Sequence, residues 1–187
     1  NTYLVSNDSG ETLIFDPGCY SREEELLLSD FIEENKLIIC AVLYTHAHID
    51  HILGAEFVRE KYQCVSYLHP LDHVTWTSVA NYAHVYGFEG YKSSALPEIF
   101  LEDGQELHIG NFKIQVRHTP GHAPGHVIFY HPESKLAAVG DVLFRGSIGR
   151  TDLPRGNHQH LLNSITQKLW PLGEDVMFIS GHGPVST

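Results

Sequence analysis

The chain has 187 residues and carries 12 Lys and Arg against 23 Asp and Glu, a formal net charge of −11. Hydrophobic residues make up 42% and charged residues 19%, the balance of a globular domain and not of a disordered segment. An acidic field of this size repels phosphate backbones and anionic lipid, and no apolar run approaches the roughly 20 residues of a membrane span, so neither nucleic acid nor membrane is an expected partner.

The length predicts a single domain over 1–187. Tyr3 already reads as strand, so a short strand is expected before Asn1, with a few further residues after Thr187. The three cysteines, Cys19, Cys40 and Cys64, form no C-x-x-C pair and leave an odd number. That usage predicts a reducing, cytoplasmic setting and no cysteine-based zinc site. Histidine is the unusual count, at 14, more than all Lys and Arg together.

In chain order, Thr12–Phe15 predicts a strand closed by the turn Asp16-Pro17-Gly18. Ser21 with Glu24 reads as a capping box opening a helix to about Asn35, with Leu27, Leu28, Phe31 and Ile32 on its inner face. Leu37–Tyr44 is nearly all apolar, the pattern of a strand covered on both faces. Ile52–Tyr62 predicts a helix, Cys64–Leu68 a strand, and Leu71–Tyr86 a helix with Trp76, Val79, Ala80 and Ala83 as its core stripe. Residues 87–97 read as loop. Phe100–Ile109 with Asn111–Arg117, and Val127–Tyr130 with Lys135–Val139, predict antiparallel pairs. His158–Trp170 reads as a helix stopped by Pro171, and Val176–Ile179 as a last buried strand. Hairpins mixed with crossovers imply sheet layers with outer helices.

The sharpest feature follows the Leu37–Tyr44 strand: Thr45-His46-Ala47-His48-Ile49-Asp50-His51. His46 and His48 can project the same way from a strand end, because alternate side chains do. Asp50 and His51 fall on the turn beyond it. A polar turn with a capping Asp50 explains one such residue, not four. An imidazole pair suits one divalent ion, and a carboxylate with an imidazole suits another. Three later positions share the context of a strand's carboxyl end: His122 in Thr119-Pro120-Gly121-His122, Asp141 after Gly140, and His182 in Gly181-His182-Gly183-Pro184. Five His and two Asp are too many for one tetrahedral zinc and suit two ions sharing a bridge.

On these residues the sequence resembles the metallo-β-lactamase fold superfamily, whose signature is an H-x-H-x-D-H run followed by a spaced His, Asp and His. Thr-Pro-Gly-His-Ala-Pro-Gly-His at 119–126 and Gly-Ser-Ile-Gly-Arg-Thr-Asp-Leu-Pro-Arg-Gly at 146–156 are similar to the small glyoxalase II-like hydrolases. The resemblance implies an α/β (α+β) chain folded as an αββα four-layer sandwich, two mixed sheets with outer helices. It assigns His46, His48 and His122 to a first metal, Asp50, His51 and His182 to a second, and Asp141 to the bridge. Two divalent ions are therefore expected, zinc first, with iron or manganese also suited to His and Asp. An Asp at 141 argues against lactam hydrolysis.

Water held by two such ions ionises near neutral pH and can attack a carbonyl. A thioester suits this chemistry, since a thiolate leaves without acid help. Small acyl thioesters, S-lactoylglutathione first, are the expected substrates, with Asp50 either a ligand only or also a proton acceptor. Arg145, Arg150 and Arg155 sit in one loop of an acidic chain, and Arg150 and Arg145 are the expected substrate contacts, with ion pairing to Asp152 the competing role. Asp152 and Gly183-Pro184 depart from the glyoxalase II pattern, where an aromatic, and an acid with a tyrosine, stand. Two other activities fit the same motifs, a mononuclear-iron persulfide dioxygenase and a phosphodiesterase. His118 and His126 are expected to support the ligands by hydrogen bonds, and Asp16 either to do so or simply to close its turn.

Overall fold

The computed structural model describes residues 1–187. The first half builds one five-stranded sheet: β1 (Tyr3–Ser6), antiparallel to β2 (Glu11–Phe15), then β3 (Ile38–Leu43), β4 (Val65–Leu68) and β5 (Ile99–Phe100) in parallel. In the second sheet β6 (Glu106–Ile109), β7 (Phe112–His118), β8 (Val127–His131) and β9 (Leu136–Gly140) form an antiparallel meander. A small hairpin, β10 (Leu143–Phe144) with β11 (Ser147–Ile148), stands apart. The last strand, β12 (Met177–Ser180), runs parallel beside β9, so both large sheets are mixed.

Period-two alternation explains how the layers stack. Leu13, Phe15, Ala41, Leu43, Val127 and Phe129 point inward between the sheets, where Phe15 meets Phe129 edge-on at 5.7 Å. The residues between them face outward. Ile14 and Val42 pack under Ile32 of α1 (Arg22–Glu34), Ile52 of α2 (Ile49–Ile52), Val58 of α3 (Ala55–Tyr62) and Trp76 of α4 (His73–Tyr82). Ile128, Ala137 and Val139 pack under Leu161 of α5 (His158–Ser164) and the π turn Ile165–Leu169 that continues it. The result is the αββα sandwich. No helix is long and apolar enough to cross a membrane.

The capping box of α1 forms as its spacing predicts: Ser21 Oγ accepts from Glu24 N at 3.2 Å and the Glu24 carboxylate accepts from Ser21 N at 2.9 Å. The expected inner face of α1 does not. Leu27 and Phe31 are 73% and 51% exposed, while Ser29 and Ile32 are buried, so the helix turns its 28-29-32 side to the sheet. Likewise Ala80 is exposed while Trp76, Val79 and Ala83 are buried. β3 is covered on both faces only at its Ala41–Leu43 end, Ile38 being 58% exposed at the sheet's opposite end.

Two expected elements are split. Phe100–Ile109 ends one sheet at β5 and opens the other at β6, with the chain crossing between them. The helix expected over Ile52–Tyr62 starts earlier and breaks at Leu53-Gly54. There Gly54 N donates to Pro17 O at 2.9 Å, and a Cβ on Gly54 would run into Cys19 Sγ and lie 2.9 Å from Cys19 O. The close approach of the 16–19 turn therefore dictates both the glycine and the break.

Candidate metal centre

Five strands end on one edge of the sandwich, and each end delivers part of the site. Asp16 follows β2, Thr45 and His46 follow β3, His122 lies in the loop after β7, Asp141 follows β9, and His182 lies two residues past β12. His48 caps α2, which carries Asp50 and His51 in its first turn.

The ligand-type atoms gather in two groups. His46, His48 and His122 lie within 4.8 Å of one another, as do Asp50, His51 and His182. His48 Nδ1 is 2.8 Å from His122 Nε2, and His182 Nε2 is 3.1 Å from Asp50 Oδ2. Asp141 joins the groups. Its Oδ2 is 3.4 Å from both His122 Nε2 and His182 Nε2, and its Oδ1 is 3.4 Å from His51 Nε2. Asp16 with His46 and His51 makes a third such triad, but its oxygens are already engaged.

A second set of contacts fixes which atom each ligand presents. Asp16 accepts from Thr45 N at 2.7 Å and Thr45 Oγ1 at 2.6 Å and meets His51 Nδ1 at 3.0 Å, turning His51 Nε2 to the centre. The Arg150 carbonyl meets His122 Nδ1 at 2.8 Å, and Thr45 Oγ1 meets His46 Nδ1 at 3.1 Å. Buried His126 accepts from Asp141 N at 3.0 Å through Nε2. Asp72, fully buried, accepts from Ala47 N at 2.9 Å and Gly125 N at 2.6 Å. One carboxylate thus ties the His46/His48 segment to the loop between His122 and His126. The sequence carries no signal for Asp72, which reads there as an ordinary helix-start residue, and Asp16 and His126 are legible only as options.

The residues fit cations. His46 Nε2, His51 Nε2 and Asp141 Oδ1 are buried polar atoms with no hydrogen-bond partner, a costly state unless something positive sits between them. Separations of 2.8–3.6 Å bracket the roughly 3.3 Å between donors around a tetrahedral ion with bonds of about 2.05 Å. Electrostatics agree. Burial and then the neighbouring rings push His48 down to about 4 and His46 well below the ordinary imidazole value, leaving lone pairs free. Burial opposes charge on His51, but Asp16 and Asp141 reverse it and raise it to about 10. Burial likewise opposes charge on Asp141, and the nearby His182 and His51 rings overcome it, holding the carboxylate well below its usual range.

The centre opens into a cavity of about 680 Å³. His48, Asp50, His122, Asp141 and His182 form its floor, and Val74, Tyr82, Val85, Tyr86, Leu153 and Pro154 its largely apolar walls. Arg150 lines it but is held by Asp152 through two bonds of 2.7 and 2.6 Å. Arg145 is exposed in the β10–β11 turn and is not among the residues that line the cavity, whereas Arg155 is.

Fold and site together define a metal-binding hydrolase scaffold, and residues 1–182 match the profile of the metallo-beta-lactamase superfamily. The chain belongs to that superfamily. It is 42% identical to the probable metallo-hydrolase YqgX of Bacillus subtilis, over 97% of this chain and 83% of that protein. It is 36% identical to the hydroxyacylglutathione hydrolase GloC of Haemophilus influenzae, over 100% of this chain and 87% of that one. Among solved structures, the B3 metallo-beta-lactamase BLEG-1 superposes with a TM-score of 0.91 at 37% identity, covering 100% of this chain and 88% of that one. TTHA1623 in a di-iron-bound form gives 0.88 at 37%, covering 100% and 89%.

Proposed function

We propose that this metal-dependent hydrolase cleaves small acyl thioesters, S-lactoylglutathione first among them, at a centre for two divalent ions. The observation that carries the reading is the place of Asp141, one carboxylate within 3.4 Å of nitrogens from both ligand groups. His46, His48 and His122 would hold one ion and Asp50, His51 and His182 the other, with Asp141 shared. Zinc and iron both suit this donor set; the likeness to a di-iron protein favours trying both. When bound, such ions bring the pKa of water toward neutrality and polarise a carbonyl oxygen.

The chain's own groups do the rest. Asp16 and the Arg150 carbonyl keep His51 and His122 from turning, so donor atoms stay aimed at one small volume. Asp50, with 45% of its side chain exposed, is the carboxylate that opens to the cavity; its Oδ2 faces His182 and His51, and the carboxylate can also accept a proton. The walls offer no carboxylic acid opposite the floor, which suits a leaving group that needs no protonation. A thiol, with a pKa of about 8.5, is such a group. The acidic surface and three free cysteines support a cytoplasmic enzyme whose partner is a small molecule, with neither nucleic acid nor membrane involved.

The test is thiol release from S-lactoylglutathione by protein loaded with zinc or with iron. Steady turnover that Asp141→Asn lowers at least a hundredfold is the expected result. Turnover of a cephalosporin instead, or oxygen uptake with a persulfide and no thioester cleavage, overturns the reading. The lactam control is chosen because of the 37% likeness to a B3 metallo-beta-lactamase.

A further inference from the structure

The cavity has two guanidinium groups on its rim, and the structure sets them in different states. Arg150 donates from Nε and Nη2 to the two oxygens of Asp152, so one edge of its guanidinium is engaged by a carboxylate of its own loop. Arg155 has no carboxylate partner; its one hydrogen bond runs from Nη2 to the Leu71 carbonyl at 3.2 Å. Asp72, a buried acid whose charge acts on it, spends both oxygens on backbone amides. Most of Arg155's five N–H donors are therefore available to a ligand.

Backbone geometry makes this arginine a costly choice. Arg155 has φ +69°, in the left-handed region where a Cβ is strained and glycine is favoured. The chain nevertheless keeps a long charged side chain there, exposed and among the residues that line the cavity. Of the two other basic residues of the chain that share such a φ, Lys36 and Lys135, neither lines the cavity, whereas Arg155 does. Next to it, Val74, Val85 and Tyr86 are 63%, 72% and 62% exposed, an unusual cluster of bare apolar surface that continues the cavity wall.

We propose that Arg155 determines specificity by taking a carboxylate at the far end of the thioester, while the Val74–Tyr86 wall takes the apolar stretch between that carboxylate and the scissile bond. The inference rests on the thioester reading of the centre and narrows it to anionic thioesters. Arg150 serves mainly to present its carbonyl to His122.

Three matched thioesters test it: one neutral, one with a carboxylate on the thiol half, and one with it on the acyl half. Arg155→Gly removes the cation and relieves the strained φ, so its thermal midpoint should be equal to or above the parent's. The ratio of kcat/KM for a carboxylate-bearing over the neutral thioester should fall on the order of tenfold, carried by KM, as loss of a charge-assisted hydrogen bond predicts. Arg155→Lys should recover part of that ratio, since it keeps the charge without the fork. Whichever half shows the effect identifies the end that Arg155 reads. A lower midpoint with the ratio unchanged means that Arg155 only braces its loop to Leu71, and overturns the proposal. Calorimetry with non-cleavable thioether analogues on the metal-loaded protein separates the two readings. If no thioester is cleaved but Arg155→Gly still loses preference for the carboxylate analogue, the thioester reading fails, and with it the narrowing to anionic thioesters, while the Arg155–carboxylate contact is kept. Equal binding of charged and neutral analogues by the parent sinks this proposal alone.

Discussion

At the scale of single residues, the centre depends on buried carboxylates that never face the cavity. Asp72 lies some 25 residues from Ala47 and 53 from Gly125 in sequence, yet bonds both backbone amides. Burial pushes its pKa up, and the two N–H groups that donate to it work against that. Asp72→Ala would leave both amides buried and unpaired, at roughly 1–3 kcal/mol each. Asp72→Asn keeps the volume but sets an NH2 against one N–H donor. Both variants should lower the denaturation midpoint. Both should also release metal to a chelator faster than the parent, since the segments bearing His46, His48 and His122 lose their common tie. Metal retention equal to the parent's in Asp72→Asn would assign this carboxylate to stability alone.

At the scale of elements, what the sequence made legible was periodicity and local clustering. The alternation of Leu13, Ile14 and Phe15, or of Val127, Ile128 and Phe129, places strands and faces correctly because each face is buried against a different layer. The candidate ligands were legible as a group because such residues crowd at strand ends, with four potential ligands inside residues 46–51. The α1 face was not, since Leu27 and Phe31 are apolar yet solvent-facing, and composition cannot rank two overlapping helical stripes. Nor was Asp72, whose partners are backbone groups that any residue type supplies. The break between α2 and α3 is of the same kind: it answers a turn 35 residues upstream, where Cys19 meets Gly54. Gly54→Ala should therefore cost about 1–3 kcal/mol by overpacking, although its φ of −89° suits alanine. Chemical denaturation measures this. Adding Cys19→Ala to the same chain should restore part of the loss, as two residues in direct contact do not add. An unchanged midpoint for Gly54→Ala would show that Cys19 yields freely.

At the scale of the whole molecule, the two sheets meet over an apolar interior that stops short of the edge where the ligands gather. There β3 ends in Tyr44-Thr45-His46, β9 in Asp141 and β12 in the segment leading to His182, so the edge joins strands of both sheets. Without cations this edge keeps unpartnered nitrogens on His46 and His51 and an unpartnered oxygen on Asp141, all buried. It also places Asp16, Asp50 and Asp141 around one small volume, in a chain already at −11. The Asp16 and Asp141 carboxylates raise the His51 imidazole to about 10, the response of surroundings that favour positive charge. Two divalent ions would supply that positive charge and satisfy every orphaned atom, while joining ligands from both sheets. An unfolded chain offers no such converged set, so ion binding adds to folding stability. At a free ion concentration a hundred times the dissociation constant, one site contributes about 2.7 kcal/mol. Thermal unfolding before and after exhaustive chelation tests the coupling. The midpoint should drop by several degrees and return when zinc or iron is added back. Asp141→Asn, which removes the shared carboxylate, should show a smaller drop on chelation than the parent. Equal midpoints with and without metal, once its removal is verified by elemental analysis, would mean that the sandwich core holds the edge in place unaided.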